Sequence, residues 1–193
     1  MLDFKAMFGA VAVIIAFVGY VPYFIDIFKG KTKPHAFSWF VWGLLTGIAF
    51  FAQVVKQGGA GAWVTGFSSL VTSSIFVLAL FKGNKSYVLF DWISLIAALV
   101  AMLLWWLTKD PLLSVILVTI VDAVGFLPTI RKGYLKPNEE TISTFALSSI
   151  KFIFGIFALE SFTFVNWLYP LSLVLMNGGF ATLLFIRRKQ LKL

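Results

Sequence analysis

Apolar residues fall into seven long stretches, separated by short polar or basic segments, at approximately residues 7–28, 37–55, 62–81, 87–108, 112–130, 141–159 and 164–186. Each is long enough, or nearly so, to cross the ~30 Å hydrocarbon core of a bilayer as a helix. None alternates strictly between apolar and polar positions, as a lipid-spanning barrel strand must, so helices are the predicted element throughout. The first stretch starts directly after Met1–Ala6 with no small-residue cleavage site behind it, and reads as a retained helix.

The stretches repeat. Gly19-Tyr20-Val21-Pro22, followed by Lys29-Gly30-Lys31-Thr32-Lys33-Pro34, returns as Gly125-Phe126-Leu127-Pro128, followed by Lys132-Gly133-Tyr134-Leu135-Lys136-Pro137. The offsets are 106 (Gly19 to Gly125) and 103 (Lys29 to Lys132), a slip close to one helical turn. Further on, Trp63 matches Trp167, Phe76 matches Phe180, and Leu80-Phe81 matches Leu184-Phe185, all at offset 104. The expectation is an all-α membrane protein of seven transmembrane helices. Two triple-helix bundles, residues 1–86 and 112–193, are joined by a linker helix at 87–111, a 3+1+3 plan. Duplication of this kind places a site between the halves.

Composition agrees with the hydropathy pattern. Hydrophobic residues make up 60% of the 193, charged residues only 12%, and mean hydropathy is +0.95. A soluble domain carries roughly a quarter charged residues. Cysteine is absent and His35 is the single histidine, which excludes disulfides, thiolate and histidine-cluster metal sites and Ser-His triads. No catalytic constellation remains, so neither an enzyme nor a cofactor is expected.

The net charge of +8 reports orientation rather than nucleic-acid binding. Twelve Lys and Arg fall on one side of the predicted spans and three (Lys5, Lys56 and Lys109) on the other, with Lys151 inside a stretch. The N-terminus is therefore expected outside and the C-terminus in the cytoplasm, in the plasma (cytoplasmic) membrane of a prokaryote. The sequon Asn84-Lys85-Ser86 falls on the cytoplasmic side and is discounted.

A 3+1+3 chain with a proline in its first and fifth helices, each followed by a basic turn and a serine, resembles the PQ-loop superfamily, which includes the SWEET (MtN3-like) transporters. Pro128-Thr129-Ile130-Arg131-Lys132 through Thr141-Ile142-Ser143 has the family's spacing, and the copy from Pro22 to Ser38 is one residue longer. The glutamine that normally follows the proline is Tyr23 in one copy and Thr129 in the other. The resemblance implies transport of a small polar solute, a sugar or similar, by alternating access between the two repeats. It implies hinges at Pro22 and Pro128, and solute contacts from Asn177 and its smaller polar repeat mate Ser73. The superfamily also handles amino acids and contains a retrieval receptor. Readings from other classes are therefore a non-transporting ligand or cargo receptor and a vitamin-precursor carrier of the nicotinamide-riboside type.

Three further residues enter on their own chemistry. Asp122 and Lys151 each lie eleven residues into their stretches, near the bilayer midplane. A lone charge there costs roughly 2.5–3.5 kcal/mol, so the two are expected to pair across consecutive helices. That pair would serve either as a structural bridge or as a charged element of the cavity. Most tryptophans flank the stretches as an interfacial belt, but Trp42 sits about a turn deeper, where an aromatic face could stack on a solute. Gly43-Leu44-Leu45-Thr46-Gly47 is a GxxxG pattern for close helix packing. The partners expected are a small-molecule solute and the lipid bilayer, with no nucleic acid. A homo-oligomer is compatible with this plan but not required by it, because one chain already holds both repeats.

Overall fold

The computed structural model describes residues 3–30, 34, 36–83, 89–135 and 137–192, with the side chains at 90, 91, 94, 101, 105, 128, 131, 132 and 139 outside that description. His35 and the Asn84-Lys85-Ser86 sequon lie outside the described residues, as does the side chain of Pro128.

Among the described residues every regular element is helical. The long helices are α1 (Phe4–Phe28), α2 (Ala36–Val55), α3 (Trp63–Lys82), α4 (Leu89–Thr108), α5 (Pro111–Leu135), α6 (Ile142–Phe157) and α7 (Phe164–Gln190). Their starts carry local signals. The Asp3 carboxylate accepts from the Lys5 amide at 3.0 Å, and Asp110 accepts from Leu112 at 2.8 Å ahead of a proline at the first helical position. Phe4–Phe28, Ala36–Val55, Gly59–Lys82 and Phe164–Gln190 are long and apolar enough to cross a bilayer. Leu95–Thr108, Pro111–Leu127 and Ile142–Phe157 are shorter apolar helical segments. The protein is membrane-embedded and all-α.

Helix packing follows a pattern that chain order conceals. α1 and α2 both pack on α3, and α5 and α6 both pack on α7. Across these groups α1 packs on α6 and α2 on α5, while α4 lies against α2 and α5. The α2–α3 contact uses the GxxxG glycines. A Cβ at Gly43 would stand 2.8 Å from the Ser73 hydroxyl and one at Gly47 3.2 Å from that of Ser69, while Ser69 Oγ donates to the Gly43 carbonyl at 3.0 Å. With no side chain between them, the two backbones approach closely enough for that bond.

Burial gives the repeat a sharper register than residue identity does. At offset 106 the buried Gly9, Ala12, Ala16, Tyr20 and Ile27 of α1 match buried Val115, Val118, Asp122, Phe126 and Gly133 of α5. The same offset pairs buried Gly43, Leu45, Thr46 and Ala49 of α2 with buried Ser149, Lys151, Phe152 and Gly155 of α6. In the third helices the offset is 105, not the 104 suggested by Trp63/Trp167 and Phe76/Phe180. All six buried residues of α3 (Val64, Thr65, Ser68, Thr72, Ile75, Ala79) then find buried mates in α7 (Tyr169, Pro170, Leu173, Asn177, Phe180, Leu184). One residue of slip turns a helix by about 100°, so an identity match one position out points to the wrong face.

The Lys-Gly match at offset 103 is likewise not structural. Gly30 stands beyond the end of α1 in a left-handed turn (φ 69°), where glycine is favoured. Gly133 lies inside α5, where an added Cβ would stand 2.4 Å from the Phe180 ring.

The glycines divide by what surrounds them, and this generates a prediction. A Cβ at Gly9 would stand 2.7 Å from the Ala60 carbonyl oxygen and 3.0 Å from its Cβ, whereas one at Gly125 meets nothing within 4 Å. Gly9→Ala should destabilise the fold by about 1–3 kcal/mol through overpacking. Gly125→Ala should leave stability unchanged or raise it by up to about 1 kcal/mol through helix propensity. Thermal unfolding of both variants in detergent checks the contrast.

Candidate functional site

Residues of α1, α2, α3, α5, α6 and α7 converge on one central cavity of about 750 Å³; among the described residues none from α4 lines it. Its lining includes Tyr20 and Tyr23 from α1, Trp39, Trp42 and Thr46 from α2, and Ser68 and Thr72 from α3. The other group supplies Asp122, Phe126 and Thr129 from α5, Ser148, Lys151 and Phe152 from α6, and Tyr169, Leu173 and Asn177 from α7. Asp26, Gly30, Pro34, Asn138, Glu140 and Thr141 also line it, so the cavity reaches the end that carries the basic turns.

The opposite end is packed shut. Gln53 donates to the Asn166 carbonyl at 2.8 Å, and the Asn166 amide donates to the carbonyls of Lys56 at 2.9 Å and Ser161 at 2.7 Å. The Glu160 amide bonds the Gly58 carbonyl at 3.3 Å, and the Lys5 ammonium bonds the Leu159 carbonyl. Phe8 packs on Phe154 and Phe157 with ring centroids 6.0 and 5.9 Å away. Gly61 and Gly155 make the approach possible: a Cβ on Gly61 would fall 2.5 Å from Leu159, and one on Gly155 2.6 Å from Val64.

The expected ion pair between Asp122 and Lys151 is not formed. Both are buried, at 2% exposure each, and both line the cavity, but their partners are different groups. Lys151 Nζ donates to the hydroxyls of Tyr20 and Ser68, each at 3.0 Å. It also lies 4.4 Å from the Tyr20 ring centroid and 4.9 Å from that of Phe152. Asp122 has its polar contacts with the Tyr169 hydroxyl and the Trp42 indole. The reason is topological. α5 and α6 are consecutive in sequence, yet each packs on α7 and neither lies chiefly against the other.

The other expected site residues divide. Asn177 lines the cavity, with one amide N–H donated to the Leu173 carbonyl of its own helix at 2.8 Å. Ser73 does not line it. It is exposed, facing a groove of about 310 Å³ whose walls include Gly43, Phe76 and Met102. Thr72 lines the cavity in its place, which is the one-residue register correction applied to the site. Trp42 lines the cavity, 5.3 Å from Trp39 in an edge-on arrangement. Pro22 interrupts the hydrogen bonding of α1 on an exposed face, and the residues that follow the two prolines, Tyr23 and Thr129, are the ones that line the cavity.

Sequence reasoning missed Tyr20, Ser68, Tyr169 and Trp39. The last is buried, and its indole donates to the Tyr23 hydroxyl at 3.2 Å instead of sitting in an interfacial belt. A signal was present for the tyrosines: Tyr20 and Tyr169 are phenols in the middle of apolar stretches, where a hydroxyl must find a polar partner.

No protein-family model, curated protein or solved structure matches the chain.

The geometry predicts which partners of Lys151 are coupled to it. In double-mutant cycles, Lys151→Gln should show an interaction energy of about 0.5–3 kcal/mol with Tyr20→Phe, as groups in one hydrogen-bond network do. Its coupling with Asp122→Asn should be smaller. Unfolding of the single and double variants in detergent measures both, and a larger coupling to Asp122 would mean that the two charges pair after all.

Proposed function

We propose that the protein is a transporter of a small polar solute that works by alternating access, with all seven helices crossing the membrane. On this reading residues 1–86 and 112–193 are equivalent triple-helix bundles and residues 87–111 supply a linker span. The packing of α1 and α2 on α3, repeated as α5 and α6 on α7, supports it, as does the shared register of burial. The linker role for α4 is supported by its packing against α2 and α5, with none of its described residues in the cavity lining.

The observation that carries the transport reading is the asymmetry of the cavity's ends. A chamber of mixed apolar and polar lining lies between the two groups; among the described residues it extends to the end that carries the basic turns, and contacts between the groups shut it at the far end. The excess of Lys and Arg supports a cytoplasmic position for that end; on this reading the conformer faces inward, with the N-terminus outside and the C-terminus inside. The membrane expected is the plasma (cytoplasmic) membrane of a prokaryote. The far seal consists of a few hydrogen bonds, close glycine contacts and the packing of Phe8 on Phe154 and Phe157, with no ion pair across it among the described residues. Such contacts are weak enough to exchange for an outward-facing arrangement, and Pro22 and Pro128 supply bending points in the two helices that flank the mouth. A solute that binds both conformers then moves between the two sides.

The test uses the chain's lack of cysteine. A single Ser148→Cys variant in sealed vesicles should react with a membrane-impermeant thiol reagent from the cytoplasmic side and slowly from the other. Adding Asn166→Ala removes the side-chain hydrogen bond to the Lys56 carbonyl that crosses the seal and should raise reactivity from the outer side by about fivefold, the equivalent of ~1 kcal/mol. Saturable uptake of a labelled solute into liposomes is the functional measurement. Binding without uptake for every solute that binds would replace the transport reading with a receptor of the same fold.

A further inference from the structure

Lys151 is a charge that the fold does not require. Its register mate in the first group is Leu45, fully buried at 0% exposure, so the same packing position accepts a hydrocarbon side chain. An ammonium has three N–H donors. Two are engaged by neutral hydroxyls from α1 and α3, each at 3.0 Å, and the faces of Tyr20 and Phe152 lie 4.4 and 4.9 Å away. These contacts orient the cation and lower its desolvation cost without neutralising it.

Asp122 poses the complementary question. Its register mate is Ala16, again buried, and its polar contacts are a phenol and an indole. Asp26 and Glu140 line the cavity towards its mouth; deeper in, a carboxyl group and an ammonium face the same chamber, each in contact with neutral partners and not bonded to the other.

The occupant that answers both is a zwitterion. A sugar would leave both charges without counter-ions. A simple anion would suit Lys151 and be repelled by Asp122, and a simple cation would do the reverse. A solute with one carboxylate and one ammonium supplies a counter-charge to each and leaves the net charge of the occupied cavity unchanged. We infer that the cavity takes a zwitterion of the amino-acid class, its carboxylate on the free donor of Lys151 and its ammonium towards Asp122 and Trp42. Tyr20 and Ser68 are positioning residues for that lysine. The inference rests on the transport reading for its site and deepens it by naming the solute class.

The probe is a mixture of uniformly labelled L-amino acids, offered to the full-length protein in liposomes for uptake and in detergent for binding, with labelled D-glucose as comparator. Saturable binding of the label is expected. The competing amino acids should lose about tenfold or more in potency when the carboxylate is blocked as a methyl ester or the ammonium is blocked by acetylation. Lys151→Gln should weaken binding of the label by a similar factor, and Lys151→Arg should restore part of it. Should Lys151→Gln fail to fold, Tyr20→Phe and Ser68→Ala leave the charge in place, and each should weaken binding of the label. The blocked-group competition needs no variant at all. No binding of the label, or equal competition by blocked and free amino acids, would overturn the inference. Glucose uptake indifferent to amino acids would overturn it while leaving transport standing. Binding of the label without uptake would support it and overturn transport.

Discussion

A cation held among hydrocarbon is the constraint on which the centre of this protein depends. An ammonium buried as deeply as Lys151 must recover its lost hydration from whatever the bundle supplies, and here that is two hydroxyls and two ring faces from three other elements or neighbours. Tyr20 comes from α1, Ser68 from α3 and Lys151 from α6, so satisfying this one group ties the two helix groups together at the deep end of the cavity. Direct neutralisation by Asp122 would have closed the chamber with a salt bridge. Separation of the two charges leaves it open.

The two ends of the bundle follow different physics. At the closed end, small residues remove the side-chain layer between helices: Gly9 meets Ala60, Gly61 meets Leu159, and Gly155 meets Val64. Backbones then come close enough for Gln53 and Asn166 to reach carbonyls across the groups. At the open end the facing positions carry bulkier side chains. Tyr23 and Trp39 pack at a tilt with ring centroids 4.9 Å apart on one wall, and Phe145 meets Phe180 edge-on at 4.5 Å on the other. Rings of that size hold the helix groups apart, and the space between them is the mouth.

Symmetry in the backbone and asymmetry in the chemistry coexist without conflict. The α1/α5 and α2/α6 pairs share burial at offset 106, and the α3/α7 pair does so at 105, so one packing plan is used twice. At the cavity the plan is filled differently: Ala16 against Asp122, Leu45 against Lys151, Tyr20 against Phe126, Thr72 against Asn177. Both charges thus come from the second group, while the hydroxyls that hold the lysine come from the first. The site is complete only when the two groups meet.

The positions of the apolar helices, the end at which Lys and Arg collect and the offset of 106 were legible in the sequence, because each depends on local chemistry. Apolar length reports what can face lipid, lysine and arginine collect where insertion leaves them, and Gly19 and Gly125 mark equivalent points in α1 and α5. The cavity position of Trp42 and Asn177 was legible for the same reason, since each is a polar-capable group deep within an apolar run. Direction around a helix was not. The offset of 104 set by Trp63 and Trp167 aligned Ser73 with Asn177, but a residue's face turns by about 100° per position, and packing selected Thr72. The fate of the two charges was beyond sequence for a second reason: midplane depth can be counted along the chain, whereas lateral neighbours cannot. Only the tertiary structure put α7 against both α5 and α6, sent Lys151 to Tyr20 and Ser68, and left Asp122 facing Tyr169, because which helices touch is decided by the packing of the whole bundle and not by their order.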